Sequence, residues 1–152
     1  MFAIYQFNSN NFEHNSIKLW FLKWEKFVQN KKYSSALQLF ENDVVSFGTW
    51  MDVVEGLDQL KINQWENIWP TISGFKFLTE TLFIQLSPDK LFANSILTWT
   101  SLGYHQDGKT FERSGRATVT LKRSSLNSEW KGIHTHFSLN RGVPQQSFGN
   151  FK

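Results

Sequence analysis

His134 and His136 stand two residues apart in the stretch Trp130-Lys131-Gly132-Ile133-His134-Thr135-His136-Phe137-Ser138. Read as a strand, this run alternates between two faces. Ile133 and Phe137 fall on one face; Trp130, His134, His136 and Ser138 fall on the other. The two imidazoles then have Cβ atoms about 6.6 Å apart. That spacing fits three roles: acid/base groups presented to one cavity, two ligands of a metal site, or hydrogen-bonded interior histidines outside any reaction. A metal needs a third ligand, and Ser138-Leu139-Asn140-Arg141 offers none, while His14 and His105 fall in expected loops. No metal site is therefore expected. The acid/base reading makes His136 and His134 the catalytic candidates, with Ser138 beside them on the same face.

Arg116 opens the strand expected to pair with this run. Counted from a turn centred near Asn127, it lies opposite Phe137 or Ser138. Facing inward with His136, it would hold an anionic group bidentately. Facing outward, it is a solvated strand-end charge or a dimer contact. A slip of one residue exchanges the two, and the inward placement is the expectation. Glu112 and Arg113 carry the same ambiguity. Trp50, Trp65, Trp69 and Trp99 can wall a ligand cavity or simply fill a core. Trp99 alternates with Leu97 and Ser101, a mixed set suited to a cavity face, and Tyr104 and His105 can rim its mouth. No Gly-rich phosphate loop, nucleophile elbow or readable Ser-His-Asp spacing occurs.

These residues need elements to hold them. The chain of 152 residues is expected to form one domain, large enough to bury a core without staples. It has no Cys, which removes disulfides and thiolate chemistry. Sixteen basic against thirteen acidic residues leave +3, scattered along the chain, so no nucleic-acid partner is expected. No run approaches the ~18 apolar residues of a membrane span, and Met1 to Asn11 does not read as a signal peptide. No membrane partner is expected, and a cytoplasmic location is. With 7 Trp and 15 Phe, the rings suit a thick core, a concave apolar pocket or a subunit interface.

Residues 1–14 read as an arm and residues 140–152 as a polar tail, leaving 15–139 as the domain. Ile17, Trp20, Phe21, Trp24, Phe27 and Val28 make one apolar stripe at helical spacing from Asn15. A shorter helix is expected over Tyr33–Glu41, a short strand over Val44–Phe47, and a third helix over about Gly56–Trp69, stopped by Pro70. Four long strands follow, Phe75–Leu86, Phe92–Tyr104, Phe111–Arg123 and Trp130–Leu139. Turns at Ser87-Pro88-Asp89, Gln106-Asp107-Gly108 and Ser124–Ser128 divide them. Helices followed by a meander predict an α+β domain. Each strand carries apolar residues on both faces, so a symmetric partner covering the second face, a homodimer, is expected.

The closing run Gly115-Arg116-Ala117-Thr118-Val119-Thr120-Leu121, followed by Trp130 to Ser138, resembles the last hairpin of SnoaL-like domains. Leu39-Phe40-Glu41-Asn42-Asp43-Val44-Val45-Ser46-Phe47 is similar to the helix–turn–strand near their start. The resemblance covers about Asn15 to Ser138. It implies the cone-shaped nuclear transport factor 2-like fold, with three N-terminal helices packed on a strongly curved, mainly antiparallel sheet, and a dimeric habit. It also implies an interior that houses ligands in the ketosteroid isomerase and polyketide cyclase branches. The isomerase base position falls near Gly48-Thr49 and the oxyanion Tyr position near Trp24, so that acid/base set is absent and steroid isomerisation is not expected.

The expected function is an internal, aromatic-lined pocket for a small, anionic organic molecule, with no cofactor. His136 and His134 stand at its centre, where proton transfer of an isomerase, cyclase or dehydratase kind is one use of them. Arg116, Trp99, Trp50, Trp65, Trp24, Tyr104 and Ser138 are its expected ligand contacts. The alternative is a non-catalytic dimerisation or partner-binding module with a filled core.

Overall fold

A computed structural model describes residues 3–5 and 12–150. The first element is a three-residue strand, β1 (Ala3–Tyr5), and helix α1 (Phe12–Gln29) opens three residues before the expected start at Asn15. Of the expected arm, residues 1–2 and 6–11 lie outside the described residues. The apolar stripe holds: Ile17, Trp20, Phe21, Trp24 and Val28 are all buried. His14, expected in a loop, is buried on the same helix.

Helix α2 (Tyr33–Leu37) is shorter than its pattern, because strand β2 (Phe40–Phe47) begins where the helix was expected to continue. Here tertiary pairing overrides helix propensity. Strand β3 (Val54–Glu55) follows, and residues 57–71 form the third helical stretch. Its middle, Leu60–Trp65, is a wide π-turn and its end, Trp69–Thr71, a tight 3-10 turn around Pro70. Strands β4 (Ser73–Leu86), β5 (Phe92–Tyr104), β6 (Thr110–Lys122) and β7 (Lys131–Leu139) match the expected meander to within two residues at each end.

The sheet runs β1-β4-β5-β6-β7-β2-β3. All pairs are antiparallel except β2 with β7, which is parallel. Curvature comes from bulges, which bend one strand against its neighbour. In β4 the register jumps between Leu78↔Thr98 and Phe83↔Ile96. There the Thr81 hydroxyl donates to Leu78 O (2.7 Å) and accepts from Thr98 N–H (2.9 Å), replacing the lost ladder bonds. Helix α1 serves β4 in the same way along its first half. Glu25 accepts from Phe77 N–H (2.7 Å), and Gln29 donates to Phe75 O (2.6 Å).

The helices lie in the concave side. Trp24 centres the core, with edge-on contacts to Trp20, Phe40 and Phe137 at centroid distances of 5.3, 5.0 and 5.5 Å. Gly132 is obligatory in this packing, because a Cβ there would sit 2.4 Å from the Phe40 ring. The tail is docked: Ser147 Oγ accepts from Tyr104 N–H (2.9 Å) and donates to Thr71 O (2.5 Å).

Candidate functional site

A second bulge decides which side chains enter the cone. Between β6 and β7 the pairing steps from Thr120↔His134 to Leu121↔Gly132, leaving Ile133 as an extra residue. Side-chain alternation changes phase there. Trp130 and Gly132 face the core before it; Thr135 does so after it, buried opposite the buried Val119. Strict alternation predicts that Trp130 shares a face with His134 and His136; the bulge at Ile133 places it on the opposite one.

His134 and His136 lie on the convex face. The Phe47 ring packs edge-on to both, at 5.1 and 5.2 Å. His134 Nδ1 is 2.7 Å from Val45 O. A carbonyl only accepts, so the proton is on Nδ1. Neither imidazole lines the interior cavity. Arg116 pairs with Ser138 in the register counted from the turn, but on that same convex side, where its Nε donates to Ser138 Oγ (3.1 Å). The expected inward placement of Arg116 is thus corrected. Odd-numbered β6 residues enter the cone, and Arg116 is even. Tyr104 is also displaced from its expected role. It is buried, its hydroxyl 2.8 Å from Ser73 Oγ, away from the cavity.

The arginine that does enter is Arg113. It follows the parity of Gly115, Ala117, Val119 and Leu121, the apolar side of β6, and is 2 % exposed. Its Nη2 donates to Thr49 Oγ1 (2.9 Å), and its guanidinium carbon stands 5.3 Å from the centre of the Trp99 ring. Ser101 Oγ fixes the strand beneath it by donating to Arg113 O (2.8 Å). Among the described residues, Arg113 has no ion-pair partner. Burial alone pushes its pKa down to about 10, still far above neutrality, so the guanidinium is charged in an apolar surround.

Around Arg113 lies a cavity of about 60 Å³, walled by Trp24, Trp65, Trp69, Phe75, Trp99 and Phe137. Three of the four expected tryptophan contacts, Trp24, Trp65 and Trp99, are in this wall. Trp50 is not; it is 46 % exposed. The wall's polar members are Arg113, Thr49, Gln64, and the buried pair Thr135 and Ser46, whose hydroxyls are 2.8 Å apart. Gln64 comes from the π-turn, a wide turn that commonly marks function. Its Oε1 accepts from Met51 N–H (2.8 Å), and it lies so close over Gly48 that a Cβ there would be 2.5 Å from the amide carbon. Gln64 thus pins the 48–53 loop to the cone.

Three residues of the wall carry buried N–H groups without a hydrogen-bond partner, Arg113 Nε, Trp24 Nε1 and Trp99 Nε1. The lining contains no Asp, Glu, His, Lys or Tyr. Asp43 and Asp52, the carboxylates nearest in sequence to the expected isomerase base position at Gly48-Thr49, are exposed and outside the cavity. Among the described residues, no three His, Cys, Asp or Glu come together to hold a metal ion.

Beyond the loop is an open groove of about 660 Å³. It shares Phe47, Gly48, Thr49 and Phe137 with the inner cavity, and it holds Trp50, His136 and Ser138. No helix among the described residues is long and apolar enough to cross a membrane.

No protein-family model matches the chain, and no curated protein is significantly similar to it in sequence. Solved structures do match. A nuclear transport factor 2-like superfamily protein from Salmonella enterica aligns with a TM-score of 0.70 at 18% identity, over 88% of this chain and 96% of that one. A ketosteroid isomerase-like protein from Erwinia carotovora aligns at 0.67 and 12% identity, over 85% and 97%. Aln2 from a Streptomyces species aligns at 0.69 and 7% identity, over 89% and 94%. The overall arrangement of helices and curved sheet is thus one that this chain shares with all three: its fold is the nuclear transport factor 2-like fold.

Proposed function

We propose that the cone is a receptor for a small organic carboxylate, held by Arg113 and enclosed by tryptophan and phenylalanine rings. One observation carries this: a buried, charged guanidinium that belongs to the cavity wall and has no ion-pair partner among the described residues. An isolated buried cation is costly, and an anionic acceptor offsets that cost with charge-assisted hydrogen bonds. A volume of 60 Å³ corresponds to about four water sites, enough for a carboxylate and a short stem. The lining has no side chain that exchanges a proton near neutral pH, so binding is favoured over acid/base catalysis.

Calorimetric titration with butanoate and with the neutral isostere butanamide tests the reading. Heat with the acid and none with the amide, lost in Arg113→Gln, is the expected result. Equal binding of both compounds, or undiminished butanoate binding by Arg113→Gln, overturns it.

A second copy of this chain is proposed as the cover of the convex face. What supports it is an exposed apolar pair on neighbouring strands, the register partners Phe83↔Ile96. Phe83 and Ile96 are 45 and 39 % exposed. Sheets with two apolar faces need cover on both, and a self-complementary patch is the simplest source of it. Sedimentation equilibrium should give a dimer for the parent and a monomer for Phe83→Asp. A monomeric parent at micromolar concentration overturns this reading.

A further inference from the structure

We infer that the natural ligand is an elongated carboxylate. Its head enters the cone, and a planar, hydrogen-bonding distal ring lies on Trp50 in the outer groove. This rests on the carboxylate reading of Arg113. The cavity around that residue measures about 60 Å³, far below the roughly 300–1,000 Å³ of an ordinary small-molecule site. The neighbouring groove measures about 660 Å³ and shares Phe47, Gly48, Thr49 and Phe137 with the cavity.

Thr49 is the polar side chain common to both spaces. Thr49 Oγ1 accepts from Arg113, so it holds the position that a ligand oxygen would contest. Gly48 presents no side chain, and Gln64 leaves no room for one. A ligand that takes Arg113 from Thr49 therefore has its stem directed past Thr49 into the groove.

The groove has matching chemistry for the other end. Trp50 is a large ring held 46 % exposed on the loop that Gln64 pins through Met51 N–H. Asp52, His136, Asn140 and Gln145 surround it with hydrogen-bonding groups. A stacking platform rimmed by polar side chains suits a planar ring bearing hydroxyl or N–H groups.

The probes are butanoate, hexanoate and their ω-(4-hydroxyphenyl) derivatives, titrated calorimetrically into the full chain. The aryl derivative with the better-fitting stem should bind about three- to tenfold more tightly than its plain acid, the range of an aromatic contact. Trp50→Ala should erase that gain and leave plain butanoate within about twofold of its parent affinity, by the same contact argument. Arg113→Gln should weaken both classes together. Acid binding without an aryl gain, or an aryl gain that survives Trp50→Ala, overturns the inference and leaves the carboxylate reading standing. Silence toward every carboxylate overturns both. Trp50 is on the surface, so its substitution does not endanger the fold.

Discussion

Arg113 and Thr49 are 64 residues apart in the chain and 2.9 Å apart in space, guanidinium to hydroxyl. That bond joins the inner face of β6 to the loop after β2, and it gives an acceptor to a buried cation that has no ion-pair partner among the described residues. It makes the loop and the charge a single unit: whatever relieves Arg113 also bears on Thr49.

Stability and binding should therefore separate at Arg113. Arg113→Met removes a buried charge without a counter-charge and keeps most of the packed volume. Its melting temperature is expected to equal or exceed the parent's, while butanoate binding is lost. Differential scanning fluorimetry with and without butanoate reads both effects. A large drop in melting temperature would instead assign Arg113 a structural role.

Thr49→Val removes the acceptor and leaves Arg113 buried without one. The expected cost is about 1–3 kcal/mol, read from urea unfolding. A saturating carboxylate supplies the missing acceptor, so the ligand-induced rise in stability should be larger in Thr49→Val than in the parent. An equal rise would mean that the ligand does not replace the hydroxyl.

The bulge at Ile133 can be tested by deleting it. With Ile133 gone, β7 pairs with β6 without a break, and Trp130, Gly132 and Thr135 fall on the core face by simple alternation. A cooperative unfolding transition in near-ultraviolet circular dichroism is therefore expected to persist. Its loss would show that Ile133 is required for the fold and is not merely an extra residue in the ladder.

Acid should weaken the fold through His14. Burial, and then the positive charge of Lys18, hold its pKa below the usual 6.5. The folded state therefore binds its proton less readily than the unfolded chain. The stability contribution is full above pH 6.5 and is lost as pH falls through that value toward the folded pKa. In His14→Leu, denaturant midpoints measured between pH 7.5 and about pH 5 should lose this component of the slope.

Glu25 works in the opposite direction. Burial raises its carboxyl above 4.5, outweighing the hydrogen bond from Phe77 N–H and the charges of Lys76 and Lys26. The folded state holds the proton more tightly, so this contribution is greatest below pH 4.5 and falls as pH rises through the folded pKa. Glu25→Gln keeps an oxygen for Phe77 N–H and removes the titration. Its stability at pH 7 should match or exceed the parent's, with a flatter profile just above pH 4.5 by chemical denaturation.

The sequence by itself determined the elements and much of their pairing. The α1 stripe from Ile17 to Val28, the meander ends at Phe92–Tyr104 and the pairing of Arg116 with Phe137 or Ser138 were all legible, because period and turn chemistry are local. The α+β cone was legible from the same signals together with the resemblance of the closing hairpin. Arg113 keeps step with Gly115, Ala117, Val119 and Leu121, a signal that the sequence alone leaves ambiguous between the two faces.

Only the tertiary structure decided which face of each strand is the inside. In β7 the extra residue Ile133 inverts the alternation between Trp130 and His134, and the inversion is invisible unless the partner strand is in place. His134, His136 and Arg116 consequently share a face, as their spacing implied, but it is the convex one. Strand periodicity is a parity rule, and a single unpaired residue reverses parity for everything beyond it.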